Sequence, residues 1–192
     1  DINLAEAITL TGQYTIQMLA QNLNEFLNKK FNTTDIDYII ASDTDSNYLH
    51  LEAFFKDKDK NLTKQQKVDM LDAFCENEIQ PVIDRTLQEV AEYTNAYKPY
   101  LKMKREAIAE RGIWTGKKRY ALTVWDNEGV KYEKPKLKVT GFSMISSATP
   151  NWCKAHLKEC LNIIMTGTEK ELSEYVKLVR EEFKTLSIHH IA

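Results

Sequence analysis

The chain has 192 residues, 26 basic and 28 acidic side chains and a net charge of -2, with 43% hydrophobic and 28% charged residues. A chain of this length and composition buries roughly 70% of the surface its unfolded form exposes, which excludes intrinsic disorder and any need for a disulfide framework. No apolar run approaches the roughly 18 residues that span a bilayer, DINLAEAITL lacks the pattern of a secretory leader, and three cysteines suit a reducing compartment, so a soluble intracellular protein is expected.

In chain order, Leu10, Tyr14, Met18, Leu19, Phe26 and Leu27 recur at helical spacing and predict an amphipathic helix through about Lys30. Residues 35–51, DIDYIIASDTDSNYLHL, run from a β-branched and aromatic stretch into a polar knot and out again in alternation. That pattern predicts a hairpin with DTDS at its turn. Between Lys64 and Asn95, Val68, Leu71, Phe74, Ile79, Ile83, Leu87 and Val90 mark a second long helix, kinked or broken at Pro81. From Tyr100 the strings LKMKREAI, KKRYALTVW and VKYEKPKLKV read as two or three strands, with DNEG turning between the last two.

Thr149 before Pro150 predicts a capped helix start, followed by Trp152, Leu157, Leu161 and Ile164. Thr168 with Glu171 forms a capping box ahead of Leu172, Tyr175, Val176, Val179 and Phe183, a last helix with an apolar stripe. The order helix, hairpin, helix, strands, two helices defines an α+β chain with an antiparallel sheet, divided near Ser146 to Pro150.

Charge is unevenly spread. From Lys98 to Thr140 there are twelve basic and five acidic residues, 12 - 5 = +7, which leaves -9 for the remainder. A polyanionic partner and a solvated basic sheet face balanced by acidic helices both account for this. Cys75, Cys153 and Cys160 have no metal-ligand spacing and read as packing residues; His189 and His190 lack a nearby carboxylate or Cys at ligand spacing. Trp114 and Trp125 flank the KKRY strand, where packing and stacking against nucleic acid are both open.

The strongest local signal is ASDTDS at 41–46, two carboxylates bracketed by apolar strands. Carboxylates two apart at a hairpin turn can share a hard cation such as Mg2+. An EF-hand needs Gly where Tyr48 stands and Glu where Phe54 stands. An aspartyl phosphatase needs a parallel sheet, whereas this chain turns straight back. An ordinary polar turn chosen for its geometry remains the plain alternative.

Further on comes WTGKKRYAL at 114–122, and with it the sequence resembles the family B DNA polymerases, above all those of tailed bacteriophages. ASDTDS is similar to motif C of that family, usually Y-G-D-T-D-S, and GKKRYA at 116–121 to its K-K-x-Y motif. KREAIA at 104–109, AEAITLTGQ at 5–13 and PKLKVTG at 135–141 resemble phage segments in the same order, so the likeness covers nearly the whole chain. Ala41 and Ser42 replace the usual Tyr and Gly, and Lys104 stands where phage relatives often carry Asp.

The resemblance implies that Asp45 and Asp43 are catalytic carboxylates. Asp45 would hold the catalytic metals, with Glu106 as an additional carboxylate near them, and Asp43 would lie beside the primer terminus. It implies that Lys117, Lys118, Arg119 and Tyr120 hold the primer end of the duplex. Residues 1–145 would be the later part of an antiparallel palm sheet flanked by long helices, and 146–192 the start of a helical thumb. The strings D-x-x-S-L-Y-P and K-x-x-x-N-S-x-Y-G, which supply the other metal-binding Asp and the nucleotide-binding helix in the family, do not occur in this sequence.

The resemblance therefore implies a segment of a DNA-directed DNA polymerase with an incomplete two-metal Mg2+ site, inactive alone and adding deoxynucleotides to a primer when joined by the missing palm and fingers. Its implied partners are primer-template DNA, deoxynucleoside triphosphates and the remaining polymerase segment, in the cytoplasm of an infected bacterium. A non-catalytic polymerase-derived module that binds primer-template DNA is the second reading.

Overall fold

A computed structural model of the protein describes residues 1–58 and 61–187. His189 and His190 lie outside the described residues. Helix α1 runs from Ile2 to Phe31. Asp1 caps it by accepting the Asn3 N–H at 2.9 Å, and Asn32 ends it in the left-handed conformation, with Lys29 and Lys30 in the last turn where the helix dipole favours cations. Leu19, Leu23 and Leu27 step by four residues and are at most 1% exposed, so one stripe of the helix faces the core. Leu10, expected in that stripe, is 54% exposed, because this core covers α1 only from about Thr15 onward.

The second long helix is built in three pieces. Helix α2, Lys64–Phe74, opens on a capping box between Thr63 and Gln66. A π-helical turn, Cys75–Ile79, follows, and α3 runs from Gln80 to Tyr93 with Pro81 in its first turn. Pro81 has no N–H to donate, and its ring crowds the carbonyl four residues back. The wider turn, in which the Gln80 N–H reaches the Cys75 carbonyl, is the form the expected break takes. Phe74, Ile79, Val82, Ile83 and Leu87 close on the α1 leucines and Tyr38 to make one core. Burying each such aliphatic side chain stabilises by about 1.5–3 kcal/mol.

Cys75 lies at this junction, half-buried, and burial pushes its thiol up to about 11 despite the opposing pull of Arg105. It is therefore protonated and unreactive at neutral pH, as the packing reading requires. Arg105 donates to Asp72 at 2.7 Å, and Gln80 donates to the Met103 carbonyl at 2.9 Å. These side-chain partners tie residues 101–106 down irregularly. The strand expected at LKMKREAI accordingly begins only at Ala107.

From there three strands form an antiparallel meander, β3 (Ala107–Gly116), β4 (Arg119–Asn127) and β5 (Val130–Thr140), in the order β3-β4-β5. Earlier in the chain, β1 (Ile39–Asp43) and β2 (Ser46–Leu49) form a two-stranded hairpin. The second turn, Glu128–Gly129, has φ of 52° and 85°, a pairing that matches the right-handed twist of the flanking strands. Asp126 supports it by accepting the Gly129 N–H at 2.9 Å.

Helices α4 (Asn151–Thr166) and α5 (Glu169–Thr185) follow the meander. Thr149 does not cap α4: its hydroxyl donates to the Ser143 carbonyl at 2.7 Å, and Pro150 occupies the cap position without a side-chain bond. The Thr168–Glu171 capping box is present, and its hydrogen bonds from Thr168 hold the Glu171 carboxyl below its ordinary value. A carboxyl depressed on folding contributes stability above its unfolded pKa and loses it as pH falls through the folded one. Leu161 and Met165 of α4 pack with Ala121 of β4, flanked by Ile113, Leu137 and Val139, to form a second core.

The structure is thus mixed helix and antiparallel strand, consistent with the α+β class. Its two compact units are Asp1–Glu106 and Ala107–Ala192.

Candidate functional site

Strand β1 pairs antiparallel with β2, with Ala41 opposite Tyr48 and Asp43 opposite Ser46. Thr44 and Asp45 form the two-residue turn. Asp43 is half-buried at the end of its strand, and one of its carboxylate oxygens accepts the Thr44 N–H at 2.8 Å and the Thr44 hydroxyl at 3.2 Å. Asp45 is exposed at the tip of the turn. Two carboxylates are therefore displayed at one hairpin end, as the DTDS pattern predicts.

Glu106, read from the sequence as part of the strand LKMKREAI, is instead exposed in the irregular stretch just before β3. Among the described residues no group of three or more His, Cys, Asp or Glu side chains could hold a metal ion. The oxygen donors of the turn have the right chemistry for a hard cation, which takes about six oxygens.

The basic motif folds as the other hairpin end. Lys117 and Lys118 are the turn between β3 and β4, Gly116 pairs with Arg119, and Trp114 pairs with Tyr120. Lys117, Lys118 and Arg119 are exposed. Cross-strand partners share a sheet face, so Tyr120, opposite Thr140, lies with Lys138 and Lys136, which pair with Leu122 and Val124. The other face carries Ala121, Leu137 and Val139 against α4. The central strand is buried on both faces, since Leu122 and Val124 beside these lysines are 6% and 2% exposed, and the exposed basic side chains stand at the turn and along β5.

Trp114 and Tyr120 stack with ring centroids 6.3 Å apart. Antiparallel register across a two-residue KK turn is the sequence signal that would have paired them and given Lys136 and Lys138 their face. Lys118 has φ of 58°, a left-handed conformation uncommon for a side chain of this size. Gly141, at φ 71°, passes so close that a Cβ there would stand 2.1 Å from the Lys118 carbonyl oxygen. Gly141→Ala should displace the Lys117–Lys118 turn and cost about 1–3 kcal/mol, read as a lowered thermal midpoint together with shifted amide resonances at Lys117 to Arg119. An unshifted turn would contradict the close approach.

The carboxylate hairpin belongs to the first compact unit and the basic turn to the second. The chain is 37% identical over 202 aligned residues to the DNA-directed DNA polymerase of Escherichia phage RB69. It is 34% identical over 202 to that of Enterobacteria phage T4. Both alignments take in 100% of this chain, so the resemblance carried by ASDTDS and GKKRYA extends from end to end: the chain matches a segment of the phage DNA-directed DNA polymerases. It spans 22% of the length of these curated relatives. No family model matches the chain. No helix among the described residues is long and apolar enough to cross a membrane.

Proposed function

We propose that the chain is a working part of a family B DNA-directed DNA polymerase, residues 1–145 as the later palm and 146–192 as the start of the thumb. The observation that carries the reading is a two-carboxylate hairpin turn in a chain that matches phage polymerases along its whole length. Asp45 is the metal-binding carboxylate, with Glu106 as a further ligand brought in by the assembled enzyme. Asp43, partly engaged by Thr44, lies beside the primer terminus. Bound Mg2+ would neutralise charge on the transferring phosphoryl group and the attacking 3′-oxygen. Lys117, Lys118 and Arg119 hold phosphates of the primer duplex, while the Trp114–Tyr120 pair offers an aromatic edge to its groove.

The partners are primer-template DNA, deoxynucleoside triphosphates and the rest of the polymerase, acting in the cytoplasm of the infected host. The second reading, a duplex-binding module without chemistry, is favoured by one observation, the lack of a three-ligand group among the described residues. Primer extension with Mg2+ and deoxynucleotides separates the two. We expect no extension by these 192 residues alone and restored extension when a polypeptide carrying the remaining polymerase sequence is added. Duplex binding in both mixtures with extension in neither would favour the module, and robust extension by the chain alone would show that the site has been misplaced.

A further inference from the structure

A turn that holds reacting groups needs its strands aimed as well as paired, and the aim of a two-stranded hairpin comes from outside it. Here it comes from α1. Asn24 lies beside the buried Leu23, on the flank of the helix. Its side-chain carbonyl accepts the Tyr38 N–H at 2.7 Å, and its amide donates to the Asp37 carboxylate at 2.8 Å. The same Asp37 oxygen accepts the N–H of Ile39, the first residue of β1, at 2.9 Å. One helical turn on, Asn28 accepts the Ile36 N–H at 3.0 Å and donates to the Ile36 carbonyl at 2.7 Å.

Tyr38, only 3% exposed, is also crossed by the return strand, since its carbonyl accepts the His50 N–H at 2.8 Å. Near the turn, Asn47 reaches back to the Ile16 carbonyl of α1 at 3.4 Å. The backbone N–H of Tyr38 can only donate, which fixes the orientation of the Asn24 amide and makes its two roles, one donor and one acceptor, chemically distinct.

We propose that Asn24, acting through Asp37, is the positioning residue that aims the Asp43–Asp45 turn; the role rests on the reading of that turn as the carboxylate site. From Ile39 to Asp43 the strand extends about 13 Å, so a tilt of about 10° at its start moves the carboxylate by about 2 Å. Displacements of about 1 Å are enough to cost two orders of magnitude in a positioned reaction. Asparagine is required at position 24 because aspartate there has no donor and would face the Asp37 carboxylate, whereas Asp37→Asn keeps an acceptor for both of its partners.

The test is a pair of isosteric substitutions in the full chain, with two readouts: amide chemical shifts of Asp43 to Ser46, and broadening of those amides by Mn2+ as a probe of cation binding. Asn24→Asp, which removes the donor to Asp37, should shift the turn amides and weaken Mn2+ binding by about 10-fold, whereas Asp37→Asn, which keeps the oxygen that accepts from both Asn24 and Ile39, should leave both near wild type. Unshifted turn amides in Asn24→Asp, or shifts spread over the whole chain with a lowered thermal midpoint, would overturn the proposal. Absence of Mn2+ broadening in the wild-type chain would sink the metal reading of the turn, while the amide shifts would still decide the positioning role. Should Asn24→Asp fail to fold, Asn24→Ala, which removes both hydrogen bonds without adding a charge, gives the same comparison against Asp37→Asn.

Discussion

Asp45→Ala, introduced into a polymerase reconstituted from this chain and the remaining sequence, should reduce primer extension by about three orders of magnitude. A metal-binding carboxylate supports charge neutralisation worth several kcal/mol in the transition state, and about 4 kcal/mol corresponds to that factor in rate. Duplex affinity should stay the same or rise slightly, because the substitution removes a negative charge from an exposed turn near which phosphates must pass. The two measurements together make the result specific: extension assayed by gel and binding by anisotropy. A variant that loses both would point to a misfolded hairpin, and one that retains extension within a few-fold would remove Asp45 from the metal site.

The second large effect concerns the basic turn. The isolated chain should bind duplex DNA weakly and without sequence preference, with a log-log salt slope of roughly -3 to -5 for four to six phosphate contacts. Replacing Lys117, Lys118 and Arg119 together by Ala should flatten that slope by about two to three, since each is exposed at or beside the β3–β4 turn. Binding titrations at several salt concentrations give the slope directly. An unchanged slope would move the phosphate contacts elsewhere, with Lys136 and Lys138 on the face shared with Tyr120 the next side chains to vary.

Much of the fold was legible because its signals are local. Helix α1, the DTDS hairpin, the turn of DNEG and the Thr168 capping box each follow from spacing or from a few adjacent residues. The errors arose where tertiary partners overrode local preference. LKMKREAI alternates like a strand, but Asp72 and Gln80 engage Arg105 and Met103 before any ladder can form. Thr149 has the chemistry of a helix cap, but the Ser143 carbonyl takes its hydroxyl.

The same limit applies to the candidate site. Asp43 and Asp45 are neighbours in sequence and their common turn could be read directly, as could the KKRY turn. Placing Glu106 relative to them needed the path of 60 intervening residues, and no residue pattern records that path. The support from Asn24, 13 residues before Asp37, was equally hidden, since asparagine on a helix flank carries no signal of the loop it will hold.

The π turn at Cys75–Ile79 has a consequence for how the chain tolerates change in length. In an uninterrupted α-helix Val82 would stand about 80° round the axis from Phe74; one extra residue in the wide turn brings it to within about 20°. The turn therefore acts as a phase correction, setting the apolar stripe of α3 in line with that of α2 so that one leucine row on α1 can meet both. Loss of a single residue from this turn would leave a continuous helix of good local geometry whose second half presents the wrong side, and the helix would remain while the core it serves came apart.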